Sequence, residues 1–414
     1  MLVAMVVLVA ALALPAAATL TDIGAGLHGV SHCSLAWGDC DNDGDLDLAL
    51  AGYTGSAPIS NIYRNDGAGV FTDIAAALQS VLYCSLAWGD CDNDGDLDLA
   101  LAGVSSGSDL IGVIYRNGGG GVFTGIGTGL EGVDYCSLAW GDYDNDGHLD
   151  LALAGSSSGG LISRVYRNDG AGVFTDIGAG LQGVWDCSLA WGDYDNDGDL
   201  DLALAGYDSG SNNRIGNIYR NDGAGVFTDI AAGLQSAQGG SLAWGDYDND
   251  GDLDLALAGL SYETSFFSTK VYRNDGAGVF TDIAAGLPGV YRCSLAWGDY
   301  DNDGDLDLAL AGWSDGGRIS NIYRNSGAGV FTDIGAGLQG VSNCSVAWGD
   351  YDNDGDLDLA LAGYNNSAFI SKVYRNDSGG VFTDIGARLT GVSQCSLATP
   401  DSRSRVHTQA ALLS

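Results

Sequence analysis

The sequence predicts an all-β fold, a seven-bladed β-propeller whose blades are four-stranded antiparallel sheets. Three observations carry this expectation. A phrase best seen at 191–206, running from Trp191-Gly192-Asp193 to Leu204-Ala205-Gly206, occurs seven times, with successive copies starting 51, 52, 51, 53, 53 and 51 residues apart. Between copies, apolar residues alternate with period two over short runs separated by Gly- and Asp-rich turns. Glycine occupies 66 of the 414 positions, which together with that period excludes a helical solenoid. Four short strands in a unit of about fifty residues make one propeller blade. A linear stack of β units shares the period, but seven blades close readily and closure is expected.

In chain order, residues 1–18 read as a secretory signal. An apolar run from Leu2 to Leu14 precedes Pro15 and the small residues Ala16-Ala17-Ala18, although no Lys or Arg stands before it. Residues 19–32 hold a partial repeat, Thr21-Asp22-Ile23-Gly24-Ala25-Gly26-Leu27, which could close the ring. Residues 33–398 form the seven repeats. In the fourth, Cys187–Gly192 is the first strand. Leu200–Gly206 is the second, with Leu200, Leu202 and Leu204 on one face and Asp201, Ala203 and Ala205 on the other. A variable segment from Tyr207 to Arg214 leads to a third strand, Ile215–Asn221. Asp222-Gly223 supplies the positive φ of a hairpin turn, and Val226–Ile230 is the fourth strand. Facing sheets lie about 10 Å apart, so the Leu face of one blade should pack on the Ala face of the next. Cys395-Ser396-Leu397-Ala398 begins an eighth repeat, and residues 399–414 match nothing upstream and read as an unstructured or truncated tail.

The loop between the first two strands reads D-x-D-x-D-G-x-x-D. Carboxylates at positions one, three and five can converge on one cation if the backbone curls tightly, and Gly at position six permits the turn. Position seven offers a carbonyl and position nine a further carboxylate. The predicted ligands are Asp39, Asp41, Asp43 and Asp47; Asp90, Asp92, Asp94 and Asp98; Asp142, Asp144, Asp146 and Asp150; Asp193, Asp195, Asp197 and Asp201; Asp246, Asp248, Asp250 and Asp254; Asp299, Asp301, Asp303 and Asp307; and Asp350, Asp352, Asp354 and Asp358. An all-oxygen set on a flexible loop suits Ca²⁺ better than Mg²⁺. No His or Cys recurs at zinc-ligand spacing. Up to seven Ca²⁺ are expected. An acidic surface turn is the plainer alternative, but it gives no reason for four carboxylates and a Gly to recur in register.

The formal net charge is −38, and the seven loops hold 34 of the 54 acidic residues, His148 replacing one of them. Without metal these charges repel at short range, so folding should depend on calcium. So acidic a surface makes nucleic acid an improbable partner. No segment after the signal is apolar for long enough to span a bilayer, so an extracellular or cell-surface location is expected. Cys33, Cys84, Cys136, Cys187, Cys293, Cys344 and Cys395 share one repeat position, while Cys40 and Cys91 stand in the loops. Equivalent positions of different blades are too far apart for disulfides, so most should be small buried hydrophobes.

The run from Ala190-Trp191-Gly192-Asp193 to Leu204-Ala205-Gly206 resembles the FG-GAP repeat and its VCBS-type variants. Trp-Gly stands where that family has Phe-Gly, and Leu-Ala-Gly where it has Gly-Ala-Pro. The resemblance covers 33–398. It implies the seven-bladed propeller of integrin α-subunit heads, with calcium loops on the lower face. Integrins carry such loops in only some blades, whereas here all seven have them, which makes the calcium look structural. Secreted lectins that bind sugars between blades also look like this architecture. The chain carries no integrin leg, transmembrane helix or cytoplasmic tail, so an integrin proper is not expected.

Strand order places the metal loops on one rim and the second-to-third strand segments on the other. The opposite rim varies from blade to blade and holds Tyr53; Asp109; Tyr207, Asp208 and Arg214; Tyr262, Glu263, Phe266 and Phe267; Trp313, Asp315 and Arg318; and Tyr364 and Phe369, with Tyr83, Tyr135, Trp185 and Tyr291 in the crossings. Varied loops on a rigid scaffold are where recognition usually resides, and aromatics beside amides and carboxylates suit a sugar or a protein partner. Trp37, Trp88, Trp140, Trp191, Trp244, Trp297 and Trp348 should be packing residues. Arg64, Arg116, Arg167, Arg220, Arg273, Arg324 and Arg375, each in Tyr-Arg-Asn, should form ion pairs or backbone bonds within the blade. Asn343, Asn365 and Asn376 begin N-x-S sequons. His28, His32, His148 and His407 share no repeat position, and no nucleophile elbow or phosphate loop occurs, so an enzyme is not expected. The function expected is extracellular recognition or adhesion through the variable rim, with a lectin as the alternative and a polysaccharide-active enzyme behind it.

Overall fold

Alternation along the second strand decides how the blades stack. In the computed structural model, Leu202 and Leu204 project from one face of Asp201–Asp208, and Ala203 and Ala205 from the other; all four are buried. The fourth blade is completed by Trp185–Gly192, Asn213–Asn221 and Phe227–Asp229, paired antiparallel in chain order. Its strand boundaries lie within two residues of expectation, and the ends at Gly192 and Asn221 coincide with it. The inner strand extends back to Trp185 through an irregular register between Trp185 and Ser188. The structure describes residues 31–376 except 55, 68–70, 128, 263–265, 277 and 328, plus the backbone of 382–384, 389–390 and 396–398; of 31–33 only the backbone is described. The expected signal, most of the partial repeat, the tail, Glu263, His28 and His407 lie outside the described residues, as do the side chains of His32, Cys33 and Cys395.

Seven sheets repeat this pattern, each drawing its four main strands from one contiguous stretch of chain. Every hydrophobic cluster joins two neighbours. Ala36, Ala49, Ala51 and Ile62 of the first blade meet Leu86, Trp88, Leu99, Leu101 and Tyr115 of the second. The ring closes in the same way, since Leu35, Trp37, Leu48 and Leu50 of the first blade pack with Ala347, Ala360 and Ala362 of the seventh. Burying a Leu side chain contributes roughly 1.5–3 kcal/mol, so each joint is a core in its own right.

The Trp-Gly pair belongs to this joint. Trp191 donates its indole N–H to the Ala139 carbonyl of the preceding blade at 3.1 Å, and its ring lies on Gly141, where an added Cβ would stand 2.7 Å away. Six joints share this contact. At the seventh, between Gly349 and Trp37, the nearest ring atom is 3.7 Å away, and Ser345 Oγ is buried without a partner. There the expected eighth repeat does not start a blade. Ser396–Ala398 instead runs parallel to Ser34–Ala36, on the inner edge of the first sheet. One strand cannot bury both of its faces alone, but an inner strand's unpaired edge accepts it.

The described cysteines are all free, five of them lining the axial channel, as small buried residues do. Burial pushes the Cys84, Cys187 and Cys293 thiols up to about 12. No helix among the described residues is long and apolar enough to cross a membrane.

Candidate metal loops and the variable rim

Each loop is shaped by two left-handed residues. Asn196 at position four has φ 57°, tolerable for Asn, and Gly198 at position six has φ 93°. The curl brings backbone amides onto the first carboxylate, so that Asp193 accepts N–H bonds from Asp197 at 3.1 Å and Gly198 at 3.0 Å. Asp197 accepts from Asp199 N at 2.9 Å. The same three bonds recur in the other loops, from Asp43, Gly44 and Asp45 in the first to Asp354, Gly355 and Asp356 in the last.

Positions one, three and five converge as expected. In the triads Asp39/Asp41/Asp43, Asp90/Asp92/Asp94, Asp142/Asp144/Asp146, Asp193/Asp195/Asp197 and Asp246/Asp248/Asp250, one carboxylate oxygen from each residue lies within 4.8 Å of the others. The position-three residue has a buried Oδ1 without a hydrogen-bond partner in six loops, at Asp41, Asp92, Asp144, Asp195, Asp248 and Asp301. A buried, unpartnered carboxylate oxygen is costly, and a cation would relieve that cost. Burial, with the neighbouring loop carboxylates, raises the position-three acid above the ordinary carboxylate range in each loop, Asp352 included.

Position nine stands apart from each triad. Asp201 is fully buried, and its two oxygens accept N–H bonds from Asn221 at 2.8 Å and Tyr194 at 3.2 Å. It ties the loop to the third strand, as do Asp47, Asp98, Asp150, Asp254, Asp307 and Asp358. Burial raises Asp98 to about 6, Asp150 to about 8, and Asp201, Asp254, Asp307 and Asp358 to about 7.

Sequence reasoning singled out the Arg of Tyr-Arg-Asn and missed the Asn, which recurs just as strictly. Arg116 pairs with Asp92 at 2.7 Å, while Arg64 and Arg273 meet the hairpin residues Asp66 and Asp275, each at 2.8 Å. The Asn is a clamp between blades. Asn221 donates to Leu200 O of its own loop at 3.2 Å and to Tyr143 O of the preceding loop at 2.8 Å. Position four links forward: Asn145 donates to Gly198 O and to Asp199, each at 2.9 Å. Asn353 makes these bonds to Gly44 and Asp45, closing the circle. All seven loops thus form one belt.

On the opposite rim, two blade junctions carry an arginine over an aromatic ring. Arg214 lies 4.6 Å from the Tyr262 ring. Arg318 sits between Trp313 at 4.6 Å and Tyr364 at 4.9 Å, and its guanidinium donates to Ser342 Oγ and Asn366 Oδ1, each at 2.9 Å. Phe266 is 65% exposed, and Tyr262, Trp313 and Phe369 more than 40%. Tyr83, Tyr135, Trp185 and Tyr291 fall on the inner strands, at the axial end of this rim.

A fold of this kind with this loop defines a class, the repeat propellers. The FG-GAP-like repeat model matches residues 39–101, 90–153, 142–204, 193–257, 263–310 and 299–361, and the chain belongs to that family. Among curated proteins it is similar to cartilage acidic protein 1 of Xenopus tropicalis, 25% identical over 358 residues, which cover 80% of this chain and 47% of that protein. The chain thus spans about half the length of the curated relative it matches. Comparison with solved structures gives weaker likenesses. A mutant Aleuria aurantia lectin bound to alpha-methyl-L-fucoside has TM-score 0.41 and 9% identity, over 73% of this chain and 94% of that one. A thermostable family-43 glycoside hydrolase has TM-score 0.34 and 9% identity, over 66% and 99%.

Proposed function

We propose that this protein is a secreted, calcium-loaded recognition module that binds an extracellular protein or glycan through its variable rim and carries out no catalysis. One contrast supports the reading most. The metal-loop belt is nearly the same in every blade, as a scaffold would be, whereas the other rim differs in every blade and exposes Tyr262, Phe266, Trp313 and Phe369. Arginine stacking holds two of these rings in place, which lowers the entropy lost on binding. Calcium would be held by the carboxylates at positions one, three and five with the position-seven carbonyl. The position-nine acid would act as a ligand or as the tie that fixes the loop. The buried unpartnered oxygens of Asp41 and its equivalents fit that role. Residues 1–18 would direct export to a compartment rich enough in calcium for such sites.

The test is a glycan array and a pull-down from extracellular fluid. Each is run in calcium and in EDTA, with the wild type and with a Trp313→Ala/Arg318→Ala double variant. A partner held in calcium, lost in EDTA and weakened in the variant is expected. Folded, calcium-loaded protein that retains no partner, or a variant that binds as well as the wild type, would overturn the reading.

A further inference from the structure

The sevenfold sameness breaks down at the start of the inner strands, where two adjacent positions vary. The residue before the Cys position is Tyr83, Tyr135, Asp186, Gly239, Arg292 and Asn343 in the second to seventh blades. All six have left-handed backbones, with φ of 49°, 46°, 51°, 56°, 50° and 48°. The register of the first two strands shifts here, as between Leu82 and Ser85, so each blade carries a bulge that re-aims one side chain. Gly or Asn would meet this geometry cheaply. Tyr and Arg are instead held there at a cost of order 1–3 kcal/mol each, as strained residues are at ligand-binding sites.

The six residues line one cavity, the axial channel of about 540 Å³, at its mouth on the variable rim. One wall of the mouth is formed by Tyr83 and Tyr135, which stack at 4.2 Å, with Trp185 packed edge-on behind Tyr135 at 5.3 Å. The other wall is polar. Asp186 accepts from the Gln238 amide at 3.2 Å, and the Arg292 guanidinium lies 5.4 Å from the Tyr291 ring centre. Gly239 leaves room for Tyr291, since a Cβ there would collide with that ring and stand 3.2 Å from Asp186 Oδ2. Burial raises the Asp186 carboxyl above its ordinary range, and the Gln238 hydrogen bond and then Arg292 oppose that rise.

We propose that this mouth is a single axial binding site for one terminal pyranose of a glycan. A pyranose offers an apolar C–H face to the tyrosine pair and a rim of hydroxyls to the Asp186 carboxylate, the Arg292 guanidinium and the Asn343 amide. A purely apolar ligand would leave the polar wall unpaired, and a phosphate would face Asp186 on a chain of net charge −38. The proposal deepens the recognition reading and rests on it, naming a ligand class and a place on the axis that is separate from Tyr262, Phe266, Trp313 and Phe369.

The experiment is saturation-transfer difference NMR on the full chain in calcium. The probes are methyl pyranosides of glucose, galactose, mannose, fucose and N-acetylglucosamine at about 10 mM, suited to millimolar affinity. Tyr135→Asn and Asp186→Asn are measured alongside; Asn accepts the left-handed backbone, so both should melt no lower than the wild type. At least one glycoside should receive saturation, with binding about tenfold weaker or lost in each variant. No transfer from any glycoside, or transfer unchanged in both variants, would overturn the axial site. If a partner is nevertheless captured through Trp313 and Arg318, the recognition reading survives that failure; if none is captured, both fall together.

Discussion

The two rims sit at opposite ends of the same strands, yet one is nearly invariant across seven blades and the other never repeats. The difference lies in coupling. A metal loop touches both neighbours: in the fourth blade Asn196 donates to Asp252 of the loop ahead, and Asp199 accepts from Asn145 of the loop behind. A change in one copy must therefore suit the next. A departure at a contact position keeps the rule: where His148 replaces the position-seven acid, Asn93 still meets it, at 3.0 Å from Nδ1. The strand connections of the other rim close mainly on themselves, as Tyr207 bonds Asn212 at 2.6 Å and Ser314 bonds the Gly317 carbonyl at 2.8 Å. They are free to differ. Mutual contact holds the first rim constant, and its scarcity leaves the second open to recognition.

Calcium removal should separate the rims most sharply. EDTA is expected to lower the melting temperature by tens of degrees, because a ligand held only by the folded state stabilises it; an unchanged melt would sink the calcium reading. The pH dependence in EDTA refines this. Burial raises Asp201, Asp254, Asp307 and Asp358 to about 7, above the unfolded value near 4, so the metal-free fold binds extra protons between those limits. Its melting point should rise as pH falls from 8 to 5.5. In calcium it should fall, since the metal needs ionised carboxylates.

A smaller effect tests the joints beneath the belt. Gly141→Ala places a Cβ 2.7 Å from the Trp191 ring and should cost about 1–3 kcal/mol in denaturant unfolding. Gly349→Ala, 3.2 Å from Leu46 and 3.7 Å from the Trp37 ring, should cost less. Equal costs would mean that the closing joint is as tight as the other six. The smallest effect belongs to the other rim. Trp313→Ala, at a ring 42% exposed, should change stability by no more than about 0.5 kcal/mol. A larger loss would show that this rim, too, is scaffold.

Much of the molecule was legible because its signals are local and repeated seven times. Leu200-Asp201-Leu202-Ala203-Leu204-Ala205 states the faces of a strand and how blades interlock. Asp193, Asp195, Asp197 and Gly198 state a curled acidic loop, which the structure brings together. What could not be read depends on who stands beside whom. Asp201 looks like one more loop carboxylate, yet Asn221 N and Tyr194 N take its two oxygens, because the third strand passes behind the loop. Tyr83, Tyr135, Asp186 and Arg292 carry no turn signal, yet a bulge forces positive φ on all four. The sequence alone determined the period, the faces and the loop chemistry, since these follow from the geometry of a few consecutive residues. Only the closed ring decided which oxygens stay unpartnered, which joint is loose and which side chains meet on the axis, since those contacts join residues fifty to three hundred positions apart.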